Sequence, residues 1–401
     1  MNLQSGKLYW SETVSTKPTY PKLEENINCD VLIIGAGSSG AQSAYMLKDS
    51  GLNVVVVDKR KVGEGSTTTN TSLIQYLGDK TVTHLVNTFG EKKTFEHFKL
   101  CEQAIREIEK ICNGLSFNPD YVKRDSLYYA SYEEDLEELR SDFDYLQKHG
   151  FQVEWLEEEQ IAEKYPFKKR AAIYSYNDGE MNPLKYVYGL LEKCKENGVR
   201  IYEETEINGK TFKNEECIFY TKGHFKIKAK HVIIACGYES LEFKKEKNAV
   251  IESSYAMVTT PVDDFSSWHK RTLIWETARP YIYMRTTQDN RVIIGGLDES
   301  TEDAEKRDNK ILHKRDKLLQ EFHKLFPDIQ VEAEYYLGAH YGGTHDGLPI
   351  IGMYEDFPNC FFIYGYGDNG TVYNYVLAKI VVDLIKFGKS DNLDLYLQTR
   401  L

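Results

Sequence analysis

Residues 30–58 constrain this chain more tightly than any other stretch. Asp30 to Gly37 is a short run rich in Val and Ile and bounded by glycines, as a buried parallel strand would be. Gly35-Ala36-Gly37-Ser38-Ser39-Gly40 follows directly. Ser38 to Ser50 then carries Ala41, Ala44, Tyr45 and Leu47 at helical spacing, and Gly51 stands where a helix C-cap belongs. Asn53 to Asp58 is a second strand of consecutive valines. Together these predict one β-α-β unit.

The G-x-G-x-x-G pattern gives each glycine a task. Gly35 permits the turn off the strand, Gly37 lets the backbone approach a pyrophosphate, and Gly40 lets the helix pack on the strand. Ala36, Ser38 and Ser39 complete the loop, whose N–H groups and helix dipole favour an anion. Asp58, with Lys59 beside it, ends the second strand. A carboxylate there accepts hydrogen bonds from both ribose hydroxyls of an adenosine, and disfavours a 2′-phosphate. FAD or NAD is therefore expected, rather than NADP.

The rest of the chain suggests two domains. At 401 residues it exceeds what a single core usually holds. Helices are expected over 92–113, Glu133 to His149, Pro183 to Gly198, about 303–326, and Gly370 to Phe387. Parallel-type strands are expected at Val199 to Tyr202, His231 to Ala235 and Cys360 to Tyr364. Short alternating segments at Tyr255 to Thr260, Tyr281 to Arg285 and Val292 to Gly296 read as antiparallel strands. The expected fold is mixed α/β: a Rossmann-type dinucleotide domain assembled from 26–92, 172–246 and 342–401, and an inserted substrate domain on an antiparallel sheet from 93–171 and 247–341. Residues 1–25 are polar and read as an N-terminal arm, lying on the fold or partly mobile.

Composition narrows the partners. A net charge of -12 repels phosphate backbones and anionic membranes, and the basic stretches Lys244 to Lys247 and Lys306 to Lys317 are interrupted by acids. Neither nucleic acid nor a membrane span is expected. Seven scattered cysteines without a Cys-x-x-Cys pair, and no apolar leader, fit a cytoplasmic protein with reduced thiols. No Cys/His cluster has metal-binding spacing, and His340 and His345 do not form a metal motif. The 29 tyrosines are either a quirk of composition or the walls of a pocket.

Three further segments accompany the first motif: Gly63-Glu-Gly-Ser-Thr-Thr-Thr-Asn-Thr-Ser-Leu73, His231-Val-Ile-Ile-Ala-Cys-Gly-Tyr-Glu-Ser240, and Gly343-Thr-His-Asp-Gly-Leu-Pro-Ile-Ile-Gly352 with Gly365-Tyr-Gly-Asp-Asn-Gly370. In this order they resemble the D-amino-acid oxidase superfamily of flavoproteins, which includes glycine oxidase and sarcosine oxidase. The resemblance runs from about residue 29 through nearly the whole chain. It implies FAD, with Ser66 and Thr67 as hydroxyl donors to its phosphates, Ile207 against adenine, Gly237 after the mid-chain strand, and Gly367, Asp368, Asn369, Gly370 and Thr371 facing the flavin pyrimidine. It also implies oxidation of the C–N bond of a small amine or amino acid by hydride transfer, with oxygen or another electron acceptor closing the cycle. No obligatory catalytic acid or base is expected.

The chain departs from that pattern where the family holds a substrate carboxylate. Tyr341 and Asp368 stand where relatives carry arginines, and Val372 stands where sarcosine oxidase carries a lysine. Ala339 replaces the cysteine that links flavin covalently, so FAD is expected to be non-covalent. Arg285, which ends a strand the family lays over the flavin with Tyr283, is the candidate replacement anchor, and its plain alternative is a salt-bridged strand arginine. Asp368 is a candidate for a substrate ammonium or for a backbone cap, with His340 and Tyr341 beside it. Two other readings remain open: an NAD-dependent Rossmann dehydrogenase, and a flavin-bound sensor or assembly module without turnover.

Overall fold

The structure is a computed structural model, and it describes residues 1–213 and 216–400. Two sheets organise it. In the first, Cys360–Tyr364, Lys226–Ile234, Ile27–Ile34, Val54–Val57 and Arg200–Tyr202 run parallel in that order. Ile350–Gly352 adds an antiparallel edge, and Ile207–Lys213 with Glu216–Thr221 forms an antiparallel excursion from Lys226–Ile234.

The unbroken aliphatic runs are explained by burial on both faces. Val31, Ile33, Val54 and Val56 pack with Ala41, Ala44 and Leu47 of the helix Ser38–Leu47 and with Leu377 and Val381 of the helix Gly370–Phe387. Leu32, Ile34, Val55 and Val57 face the other way, onto Phe219 and Ile227. Both helices begin at the carboxyl ends of their preceding strands, so their N-termini converge on one crevice. Open α/β sheets bind ligands in such a crevice.

The second sheet is mixed and larger. From one edge its order is Gln4–Lys7, Ala333–Thr344, Ala249–Thr259, Val292–Glu299, Ile282–Thr286, Leu273–Glu276, Val122–Tyr129, Ala171–Glu180 and Leu73–Ile74. The helix Ile311–Leu325 covers one face, where Leu318 and Phe322 meet Tyr255, Met257 and Ile294. The opposite face closes over the crevice of the first sheet.

Two expectations change. The arm contributes an ordered edge strand: Gln4–Lys7 pairs antiparallel with Tyr336 to Ala339. Buried Arg307 clamps it, donating from Nη1 to the carbonyls of Asn2 and Leu3 at 3.1 and 3.2 Å. The helix expected over 303–326 is divided into Ala304–Asp308 and Ile311–Leu325, separated where Lys310 N–H bonds back to the Arg307 carbonyl. Among the described residues, no helix is long and apolar enough to cross a membrane.

Candidate functional site

One cleft runs between the two sheets, from Asp58 and Ile207 at one end to Tyr281, Tyr341 and Asp368 at the other. Its middle is the glycine-rich turn. Gly35 has φ +107°, and a side chain there would press into the Ala235 carbonyl. A Cβ on Gly40 would collide with the Gly35 carbonyl, so only glycine lets the helix seat on the strand. A Cβ on Gly37 would stand 3.2 Å from Thr67 Oγ1 and narrow the gap between helix start and wall. The helix Ser38–Leu47 has no side-chain cap, which leaves its first turn to face the cleft with Ser38, Ser39, Ser66 and Thr67.

At the Asp58 end, the carboxylate is already oriented. Asp58 Oδ2 accepts the Ala36 N–H at 2.7 Å and Oδ1 accepts the Arg60 N–H at 2.8 Å. Burial pushes this carboxyl up to about 6. Each oxygen keeps a further lone pair for a ribose hydroxyl. Lys59 bonds Glu239 Oε1 at 2.9 Å, and Arg60 grips both Glu239 oxygens at 2.7 and 2.8 Å. Against the upward push of burial, these bonds hold Glu239 below the usual carboxylate range. Ile207 lines this end, and Gly237, at φ +58°, opens the turn that delivers Glu239.

At the other end, Gly367 (φ +112°) donates its N–H to the Gly342 carbonyl at 2.8 Å. Asn369 Nδ2 donates to the Leu77 carbonyl at 2.6 Å, which pins the loop before the helix Gly370–Phe387. Thr371 sits behind this loop, where its Oγ1 accepts from Asn70 Nδ2 at 3.1 Å and its carbonyl accepts from Gln42 Nε2 at 3.1 Å. Asp368 faces the cleft. Its Oδ1 accepts two phenol hydroxyls, from Tyr281 at 2.6 Å and from Tyr341 at 2.7 Å. Burial first, and the nearby Asp79 carboxylate second, push Asp368 up to about 6, against the pull of the two tyrosines and Arg279.

Tyr283 and His340 also line the cleft. Among the described residues, His340 Nδ1 is buried without a hydrogen-bond partner, and burial holds the imidazole below the usual histidine range. Ala339 lines the cleft, and the only cysteine lining it among the described residues is Cys236, whose thiol donates to the Ile34 carbonyl. Among the described residues, no group of three or more His, Cys, Asp or Glu is arranged to hold a metal ion.

Arg285 is placed elsewhere. It shares a strand face with Tyr283, as the two-residue period requires, but lies beyond the cleft. Its guanidinium is buried and donates to the carbonyls of Thr71 at 2.6 Å, Met181 at 2.8 Å and Thr286 at 3.0 Å. These buried carbonyls need donors, and the planar fork supplies them. The anchor reading of Arg285 is therefore replaced by a structural one.

Among the cleft residues that sequence reasoning did not single out are Asp79, Asp298 and Tyr281. Asp298 Oδ1 is buried with no hydrogen-bond partner. Burial, with Asp368, Glu252 and Asp79 nearby, pushes its carboxyl up to about 7, against a hydrogen bond from Ser254. The only available signal was an acid two residues after the glycine pair Gly295-Gly296, which marks an irregular strand.

A crevice at the strand ends with a bare glycine turn, an oriented carboxylate and a second sheet closing its far end has the geometry of a dinucleotide site. The particular family is shown by its sequence profile: residues 30–384 match the family described as FAD dependent oxidoreductase (DAO), and the chain belongs to it. FAD is thus the family's cofactor, and an NAD-dependent dehydrogenase is set aside. The chain is 21% identical over 405 residues to gamma-glutamylputrescine oxidoreductase of Escherichia coli, covering 97% of this chain and 90% of that protein. The solved glycine oxidase of Geobacillus kaustophilus superposes with a TM-score of 0.76 at 20% identity, over 93% of this chain and 99% of that one. L-proline dehydrogenase from P. horikoshii gives 0.76 at 19% identity, over 94% and 98%. At such identities the two structures share the fold.

Proposed function

We propose that this enzyme oxidises the C–N bond of a small amine or amino acid, with FAD held non-covalently along the cleft. The observation that carries the reading is the continuity of that cleft, from the ribose-ready Asp58 to the tyrosine wall around Asp368. Bound there, FAD supplies the hydride-accepting centre, and the protein supplies position and electrostatics. Ser38, Ser39, Ser66, Thr67 and the first turn of the helix Ser38–Leu47 would hold the pyrophosphate. The N-terminus of the helix Gly370–Phe387 would hold the pyrimidine end, where its dipole would favour negative charge.

The substrate enters against Tyr283, Tyr341, His340 and Asp368. The phenol rings close it off from water and fix its orientation. The reacting nitrogen must lose its proton before its lone pair can assist hydride loss. Asp368, poised near 6, accepts hydrogen bonds from the substrate ammonium and holds the departing proton. The imine product hydrolyses, and oxygen as acceptor yields hydrogen peroxide. Support for an amine or amino-acid substrate comes from gamma-glutamylputrescine oxidoreductase and glycine oxidase, which share this sequence pattern or fold.

The test is anaerobic addition of a panel of amines and amino acids to the purified protein. The expected outcome is loss of the oxidised flavin band with at least one of them. Protein that carries no flavin and binds none contradicts the proposal. Flavin that no amine or amino acid bleaches points instead to a module without turnover.

A further inference from the structure

The Asp368 end of the cleft has an unbalanced charge. Three carboxylates line it, on Asp79, Asp298 and Asp368. Asp79 has a cation: Arg279 lies 3.3 Å from its Oδ1 and also donates to its backbone carbonyl at 2.7 Å. Asp368 has two phenol donors on Oδ1 and no cation within ion-pair distance among the described residues. Asp298 is supported by Ser254, but among the described residues it has no cation within ion-pair distance and its buried Oδ1 has no hydrogen bond. Apart from Lys59 and Arg60, which Glu239 holds at the opposite end, no lysine or arginine lines the cleft among the described residues.

A carboxylate that is largely out of water and has no cation is costly to ionise, and Asp298 and Asp368 share one cavity with only neutral hydroxyl donors. A substrate carboxylate placed here would add negative charge beside three carboxyl groups that have one arginine, Arg279, among them. A cation is attracted instead, and tyrosine faces such as Tyr281 and Tyr283, with ring centroids 5.7 Å apart, add a cation–π contribution.

We propose that this end of the cleft recognises an amine carrying two positive charges, with Asp368 as counter-ion to the reacting nitrogen and Asp298 as counter-ion to a second ammonium. This rests on the amine-oxidising reading above and sharpens it: the substrate is a diamine or a longer polyamine without a carboxylate beside the reacting nitrogen. Asp368 receives the proton of the reacting ammonium, which becomes a neutral amine. The second ammonium keeps its proton and stays paired with Asp298 throughout.

The test uses the purified flavin-loaded protein, anaerobically, with linear diamines of three to six carbons, the matching monoamines, and glycine, D-alanine and L-proline. Binding to the oxidised protein is followed in parallel by calorimetry. The best diamine is expected to bind and bleach at a concentration about tenfold or more below its monoamine, the difference a charge-assisted contact makes. The three amino acids should require still more. Asp298→Asn should bring the diamine-to-monoamine ratio to about one, with the flavin spectrum as the check on folding. Equal response to diamine and monoamine, a lower concentration for an amino acid, or an unchanged ratio in Asp298→Asn overturns the proposal. If no compound bleaches the flavin, calorimetry still decides. Tight diamine binding upholds the dication site and overturns the oxidation reading, whereas no diamine binding overturns the dication site.

Discussion

The hydroxyl of Tyr341 donates to Asp368 Oδ1 at 2.7 Å, and this bond ties the second sheet to the loop that opens the closing helix. The resemblance implied arginines at the positions of Tyr341 and Asp368; the structure holds a phenol–carboxylate pair there. Tyr341→Phe removes one of two donors to Oδ1. The carboxylate form loses support, and the KM for an amine substrate should rise by about three- to tenfold, the worth of one ordinary hydrogen bond, since the second phenol stays in place. Steady-state kinetics with the best amine checks this, and an unchanged KM would separate Tyr341 from substrate binding.

Amine binding should depend on pH through Asp368. Burial and Asp79 raise its carboxyl to about 6, while Tyr281, Tyr341 and Arg279 pull it down. The ionised form is the counter-ion, so affinity for a cationic amine rises as pH increases through about 6. The upward shift of Asp298 to about 7 extends the rise. Stability moves the other way. The folded protein holds these protons more tightly than an unfolded carboxyl near 3.9, so their contribution to stability is full at low pH and is lost as pH rises through 6 to 7. Calorimetric Kd values between pH 5 and 8 check the first effect, and Asp368→Asn should flatten the lower part of the curve.

Gly40→Ala should cost FAD. The added methyl meets the Gly35 carbonyl, so the helix Ser38–Leu47 must move away from the strand Ile27–Ile34. Overpacking of this kind costs about 1–3 kcal/mol, and the displaced helix start belongs to the proposed pyrophosphate site. A fall in thermal midpoint together with at least a tenfold weaker FAD affinity is expected. Gly51→Ala, whose Cβ meets nothing within 4 Å, shares the lost chain entropy but not the clash, although its φ of +77° adds local strain. It should keep FAD.

Arg285→Ala should damage stability rather than KM. The guanidinium satisfies the carbonyls of Thr71, Met181 and Thr286. Each buried acceptor left without a donor costs about 1–3 kcal/mol, partly recovered by entering water. Chemical denaturation should show several kcal/mol lost, while the residual folded protein keeps its substrate KM. A large KM increase with unchanged stability would return Arg285 to the substrate site.

The legible parts of this chain are those whose signals are local. The valines at 54–57 and the glycines at 35, 37 and 40 specify strand, turn and helix within one short segment, and the helix Gly370–Phe387 has the bounds its periodicity predicts. What stayed hidden depends on pairing between distant segments. Gln4–Lys7 is a strand only because Tyr336 to Ala339 lies beside it. Asp298 faces the cleft because the pairing of Ala249–Thr259 with Val292–Glu299 shifts register between Ser253 and Tyr255. A one-residue shift moves a side chain to the other face, and no local pattern announces it. Arg285 shows the converse: the period placed it on the correct face, but the carbonyls of Thr71 and Met181, supplied by other segments, decided its partner.

The central claim is tested most directly by anaerobic titration of the purified protein with amines while the oxidised flavin band is recorded. The account predicts that FAD released on denaturation accounts for the band, that a cationic amine bleaches it completely, and that Asp368→Asn requires at least tenfold more of that amine. Protein without flavin, or a flavin bleached equally well in Asp368→Asn and wild type, would contradict it.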